Sequence, residues 1–438
     1  MKVLLIILLG VVVIGVGGLL VFSDSTQISV NPAIKTVGIA TPVKVHLANP
    51  HGVRRIAAYL EQNGARYQVF EKTAPSHWLF WSRHVAPETI AFNAGKDKAA
   101  ALKEGKAQFI VEAVSNDFRG ATTRLASDVD VILAAPRVIA DDLQHYINQA
   151  GMELVTFRAS GSWTEAGVRV GPHTFRSFPL PGNDPNHRFS MFAYAWDLPP
   201  DVTPVVYVRN GAGTEATARF WLKLFPKKFR ERDFVLTNAL MEKLVNNIDP
   251  TNTLAPGSSL LARFLKINGE MRRKNNQQLA DLRSKTEEKV LWNGAFIHWG
   301  KEEASFADVR DYIYNGKKVD RQVHLGFDLS DVVGAPVHAA NEGRVVWADN
   351  LGIYGNCVVL DHGYGLQSIY GHMSRIDVKP GEMVKKNGSL GIAGSTGLAE
   401  GVHVHFGMQI DGVQINPREW WDEHWIHDRI LSKLQAGQ

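Results

Sequence analysis

The chain has 438 residues, about two to four ordinary domains in length, so several domains with separate cores are expected. Forty-eight Lys plus Arg against 44 Asp plus Glu leave a formal charge of +4, too small a surplus over this length for a nucleic-acid footprint, so no nucleic-acid partner is expected. The single cysteine, Cys357, excludes an intramolecular disulfide framework and a multi-cysteine metal site.

In chain order, Lys2 precedes an uncharged apolar run from Val3 to Phe22. As a helix this run spans about 30 Å, the thickness of a hydrocarbon core. It ends Leu20-Val21-Phe22-Ser23-Asp24, without the small residues of a cleavage site, which predicts an uncleaved transmembrane helix over residues 1–23. No cysteine stands at the end of this run, which argues against a lipid-modified lipoprotein. Lys2 on one side and Asp24 on the other predict a single-pass protein of the inner membrane, with its body in the periplasm or cell-wall space.

Residues 27–135 show short alternating runs such as Val43-Lys44-Val45-His46-Leu47, separated by turn signals, and predict a β-sandwich-like accessory domain. Residues 136–230 predict a second β-rich accessory domain, with Met152 to Phe157 and Phe189 to Ala193 among its strands. Residues 231–291 read as a helical connector that includes Thr237 to Val245. Its polar run from Glu270 through Lys289 is expected to be a solvated helix face. Cys357 lies in Asn356-Cys357-Val358-Val359-Leu360 and reads as an inert thiol in a buried strand.

The chemistry begins at Val323-His324-Leu325-Gly326-Phe327-Asp328-Leu329. As one strand, it puts His324, Gly326 and Asp328 on one face. Further on, Val402-His403-Val404-His405-Phe406-Gly407-Met408-Gln409-Ile410 alternates without a break, with two imidazoles on its polar face. His nitrogen and carboxylate oxygen suit a tetrahedral zinc site. Between them, Leu366 to Met373 is predicted to place Tyr370 and His372 on a common face. The residues themselves leave open which of His403 and His405 is a ligand. His362, His338 and His298 read as structural histidines.

His324-Leu-Gly-Phe-Asp328, Gly334-Ala335-Pro336-Val337, Tyr370-Gly-His372, Gly391-x-x-Gly394-x-Thr396-Gly397 and His403-x-His405-Phe406 resemble, in order and spacing, the lysostaphin-type (LytM-like) zinc metallopeptidases. The resemblance runs from about Trp292 to Trp421. More loosely, the whole resembles membrane-anchored murein DD-endopeptidases of Gram-negative bacteria. It implies an antiparallel β catalytic domain over residues 292–430. It also implies that His324, Asp328 and His405 hold Zn²⁺ and leave a fourth position for water, while His372 and His403 act as general base and oxyanion donor. Two neutral imidazoles and one carboxylate leave a net positive centre that brings bound water toward a pKa of about 7. Tyr370 and Tyr314 are candidate transition-state or substrate contacts. Gly407 stands where many relatives carry an acid, which bears on support of the site or substrate preference.

The expected fold class is therefore multidomain and mainly β. The expected function is zinc-dependent hydrolysis of peptide cross-links in peptidoglycan, with stem peptides as substrate and cell-wall assembly proteins as candidate partners of the β domains. The sequence does not fix the scissile bond: the Gram-negative-like architecture favours a D-Ala to diaminopimelate cross-link, with a glycine bridge as the alternative. The alternative is a catalytically silent wall-binding scaffold or amidase activator, against which the intact set of ligand and helper histidines weighs.

Overall fold

The computed structural model describes residues 23–76, 84–182, 184–330 and 332–435. The anchor expected over residues 1–23 lies, except for Ser23, outside them. Among the described residues no helix is long and apolar enough to cross a membrane. The chain is mainly β and forms two compact units.

The first unit runs to Arg137 and takes in Ser160–Glu165 and Val208–Ala216. Its strands alternate as their sequences do: Thr41–Ala48 buries every second residue. A three-stranded sheet contains Thr41–Ala48 and Glu88–Ala94, and a five-stranded sheet contains Val53–Gln62, Gly105–Ser115 and Thr122–Val131. Val43, Val45, Leu47 and Ile90 from the first sheet share one core with Leu60, Phe109 and Val111 from the second, so the sheets pack through their apolar faces.

The second unit comprises Val138–Ala159, Ala166–Tyr207 and Thr217 onward, so most of residues 136–230 pack with the later part of the chain. There Arg176 grips the buried carboxylate of Asp411, donating from Nε to Oδ1 at 2.8 Å and from its backbone N to Oδ2 at 2.7 Å.

The elements around the histidines are β1 (Glu231–Val235), α1 (Asn238–Ile248), α2 (Leu260–Leu265), α3 (Arg272–Asp281), β2 (Lys301–Ala304), β3 (Asp308–Tyr314), β4 (Lys317–His324), β5 (Phe327–Ser330), β6 (Gly343–Asn350), β7 (Asn356–Gly363), β8 (Leu366–Met373), β9 (Met383–Val384) and β10 (His403–Ile410). An antiparallel sheet runs β2-β5-β10-β8-β7-β6-β9, and β1, β3 and β4 form a second sheet. Thr237 caps α1 by accepting a hydrogen bond from the Leu240 N–H, and Ser259 caps α2 through Ala262. Met241, Leu244, Phe264 and Leu279 from the helices join Cys357, Val359 and Ile369 of the sheet in one core.

That packing corrects one expectation. The polar run after Glu270 is not solvated throughout: Asn275 is buried, and its Oδ1 accepts from the Ile353 N–H at 3.0 Å. A helix covering a sheet needs side chains that satisfy the loop ends beneath it.

Candidate active site

The segment 323–329 is two strands, not one. β4 ends at His324 in one sheet, and β5 carries Asp328 in the other. The break falls at Leu325-Gly326, where the backbone passes under the His405 ring. A Cβ on Gly326 would lie 2.6 Å from His405 Cε1 and Nε2, and only glycine permits that approach. In β10 the register sets His405 opposite Asp328 and His403 opposite Ser330. His324 Nε2 then stands 2.8 Å from Asp328 Oδ1 and 3.1 Å from His405 Nδ1, and His405 Nδ1 stands 3.3 Å from the same carboxylate oxygen. His403 Nε2 reaches only Asp328, at 3.5 Å.

His372 reaches the cluster by a backbone device. In β8, Tyr370 pairs with Phe406 and Gly371 with His405, so strict alternation would turn His372 away from the cluster. A φ of 63° at His372 reverses this and brings its ring to 4.8 Å from His403 and 5.9 Å from His405. Left-handed backbone is costly for a residue with a Cβ.

The same device separates the pair expected on one face. Tyr370 is fully buried among Trp299 and Phe406, and its hydroxyl oxygen accepts from the Ala340 N–H at 2.8 Å. It makes no contact with the cluster. Tyr314 also lies apart: a register shift after Tyr312 leaves its hydroxyl donating to Asn238 Oδ1 at 2.8 Å. Tyr312 and Tyr354 line the basin instead, in a cavity of about 340 Å³ with His324, Asp328, His372, His403 and His405.

Carbonyl oxygens fix the tautomers, because a carbonyl only accepts. His324 Nδ1 faces Ser305 O at 3.0 Å, His372 Nδ1 faces Thr396 O at 2.8 Å and His403 Nδ1 faces Gly401 O at 3.0 Å. Each Nδ1 therefore carries the proton, and in the neutral ring Nε2 keeps a lone pair. At His324 that lone pair points at a carboxylate, an arrangement that needs a positive charge between them. The outer Nε2 of His405 is buried without a partner, so this ring's polar contacts are all on its inward side.

The three inward atoms of His324, Asp328 and His405 lie within 4.8 Å of one another. Ligands about 2.1 Å from a tetrahedral ion stand about 3.4 Å apart, close to the observed 2.8–3.3 Å. Two nitrogens and one carboxylate oxygen thus fit a metal ion. Arg310 holds the other face of the carboxylate, donating from Nη2 to Asp328 Oδ2 at 3.1 Å. Sequence reading missed Arg310, whose only signal was its place two residues before Tyr312 on an alternating strand.

Electrostatics divide the histidines. Burial, then the charges of His403 and His405, hold His372 well below the usual histidine value. Burial alone would also lower His403, but its hydrogen bond to Asp328 and that residue's charge outweigh burial and raise it. Burial pushes His405 down to about 4. Burial favours neutral Asp328, yet the charge and hydrogen bond of His324, followed by bonds from His403 and His405, keep it well below the carboxylate range.

Among the other histidines, His362 is buried between Glu342 O at 2.6 Å and Ser368 Oγ at 2.7 Å, a structural role. His338 Nδ1 donates to Asn387 O. Burial raises the Cys357 thiol pKa.

Comparison with known proteins falls on the same residues. Residues 322–417 match the model of Peptidase family M23. DD-carboxypeptidase/endopeptidase Mpg of Neisseria meningitidis is 33% identical over 96 residues, 22% of each chain. Peptidoglycan DD-endopeptidase ShyA of Vibrio cholerae is 36% identical over 93 residues, 21% of this chain and 22% of that one. The aligned stretch thus spans about a fifth of the length of these relatives. A putative peptidase M23 structure from Pseudomonas aeruginosa is 18% identical, with a TM-score of 0.39, covering 62% of this chain and 93% of that one. With the His–Asp–His cluster and both further histidines inside the matched residues, this chain contains an M23 peptidase domain.

Proposed function

We propose that the chain is a zinc-dependent endopeptidase that hydrolyses peptide cross-links of peptidoglycan. The observation that carries this reading is the convergence of His324 Nε2, Asp328 Oδ1 and His405 Nδ1, with His372 and His403 in the same basin. The name of the Vibrio cholerae relative, a peptidoglycan DD-endopeptidase, supports the substrate class. The body is placed outside the cytoplasmic membrane on the strength of the apolar run from Val3 to Phe22.

His324, Asp328 and His405 would hold the ion, with Arg310 fixing the carboxylate. Bound there, Zn²⁺ supplies a Lewis acid that polarises a carbonyl and makes water a nucleophile near neutral pH. The protein's own residues do the proton work. His372, kept neutral by burial and with its Nδ1 proton tied to Thr396 O, offers Nε2 to accept a proton from water. His403, held toward its charged form by Asp328, offers an Nε2 proton to developing negative charge or to the departing amine.

Zinc content of the purified chain, measured beside release of fragments from sacculi with chelator and zinc add-back, tests the reading. Zinc-dependent release of cross-link fragments is expected. Stoichiometric zinc with no release would overturn it in favour of a silent scaffold.

A further inference from the structure

One wall of the basin carries an arginine that, among the described residues, is ion-paired with no carboxylate. β1 lies parallel to β3, and their register sets Arg232 beside Arg310. Both side chains line the basin, as do Phe234 and Tyr312 two residues further along each strand, so this face of both strands looks into it.

Nearby acids are otherwise engaged. Asp328 Oδ2 accepts from Arg310, and Asp308 accepts from Arg230. Glu303 and Glu400 lie at the basin but are exposed. The remaining basin arginine, Arg272, donates to Asn268 at 2.6 Å. Arg232 Nε is buried without a hydrogen-bond partner, and among the described residues no carboxylate pairs with Arg232. Burial, then the charge of Arg310, lowers its pKa, and the charges of Asp308 and Asp328 offset this only in part. A buried donor with no acceptor is costly unless a ligand supplies one.

A guanidinium in that state, beside a peptidase centre, fits a substrate carboxylate, which it can bind through two parallel N–H groups. We propose that Arg232, flanked by Arg310, is a carboxylate subsite that selects scissile bonds whose departing amine bears a free α-carboxylate. Diaminopimelate cross-linked through its amine has such a group on the carbon bonded to the departing nitrogen, and so does a C-terminal amino acid. An internal glycine of a bridge has an amide there. The inference rests on the peptidase reading above and narrows its substrate.

The test uses the full chain loaded with zinc. Its substrates are a D-Ala to diaminopimelate cross-linked dimer with the carboxylate free, the same dimer amidated at that carboxylate, a stem peptide ending in D-Ala-D-Ala, and a pentaglycine-bridged peptide. The parent should favour the free acid over the amide by about ten- to a hundredfold in kcat/KM, the range of one charge-assisted hydrogen-bond pair. Arg232→Gln should lose that factor on the free acid and leave the amidated dimer within about twofold. Arg232→Lys should keep part of the preference. Cutting of the D-Ala-D-Ala peptide rather than the dimer would assign the carboxylate to a chain terminus. A second readout is calorimetric binding of the diaminopimelate peptide, free acid against amide, to the chelator-treated chain. The preference should survive there and vanish in Arg232→Gln. Equal handling of acid and amide by the parent, or an equal loss on both in Arg232→Gln, overturns the subsite. No cleavage of any substrate alongside an intact binding preference would instead overturn the peptidase reading and leave the subsite standing.

Discussion

The left-handed backbone at His372 predicts an unusual stability order among substitutions. A residue with a Cβ at φ 63° bears a penalty of about 1–2 kcal/mol that glycine escapes. Against this, glycine adds about 0.4–1 kcal/mol of conformational freedom to the unfolded chain. Glycine should therefore exceed alanine here by about 0.5–1 kcal/mol, the reverse of their order in an ordinary strand. Both variants also lose the hydrogen bond from Nδ1 to Thr396 O, worth about 1 kcal/mol, so this loss cancels in the comparison. Calorimetry or denaturant titration of His372→Ala and His372→Gly gives the difference. Both variants should keep zinc, since His372 is outside the three converging side chains, and both should be nearly inactive. An alanine variant as stable as the glycine variant, or more so, would refute the argument that the backbone is bent to deliver this imidazole.

Replacing His405 or Asp328 by Ala should abolish zinc binding and activity together, whereas His403→Ala should retain zinc and lose about a hundred- to ten-thousandfold in rate; elemental analysis showing zinc kept in His405→Ala and lost in His403→Ala would reverse the assignment. Gly326→Ala puts a methyl 2.6 Å from His405 Nε2 and 2.8 Å from Phe406 O, so zinc affinity by competition with a chelator should fall; unchanged affinity would contradict the close approach. Burial raises the Glu419 carboxyl from 4.5 to about 7, despite hydrogen bonds from Asn148 and Met152. Because the folded pKa is the higher one, the unfolded chain ionises first and stability falls as pH rises from about 4.5 to 7, then levels. Glu419→Gln should remove that loss, gaining on the parent by about 1–3 kcal/mol between pH 5 and pH 8; a constant difference across those two pH values would refute the shift.

Local pattern was enough to read several features directly. Alternation along residues 402–410 predicts a strand because side chains of period two must face opposite sides, and Val404, Phe406, Met408 and Ile410 are all buried. His324, Asp328, His403 and His405 were legible as ligand-type residues because their chemistry is independent of context. Tertiary structure decided the rest. His405, rather than His403, joins the cluster because pairing of β5 with β10 sets it opposite Asp328, and register between strands about 75 residues apart has no local signature. Tyr370 was misread because a single positive φ two residues later breaks the alternation on which the reading depended. Arg232 and Arg310 were invisible as a pair because they lie on strands far apart in sequence. Only the parallel contact of β1 with β3 sets the two guanidiniums together at the basin, with both Nε atoms buried and without a hydrogen-bond partner, a state costly unless an acceptor is supplied.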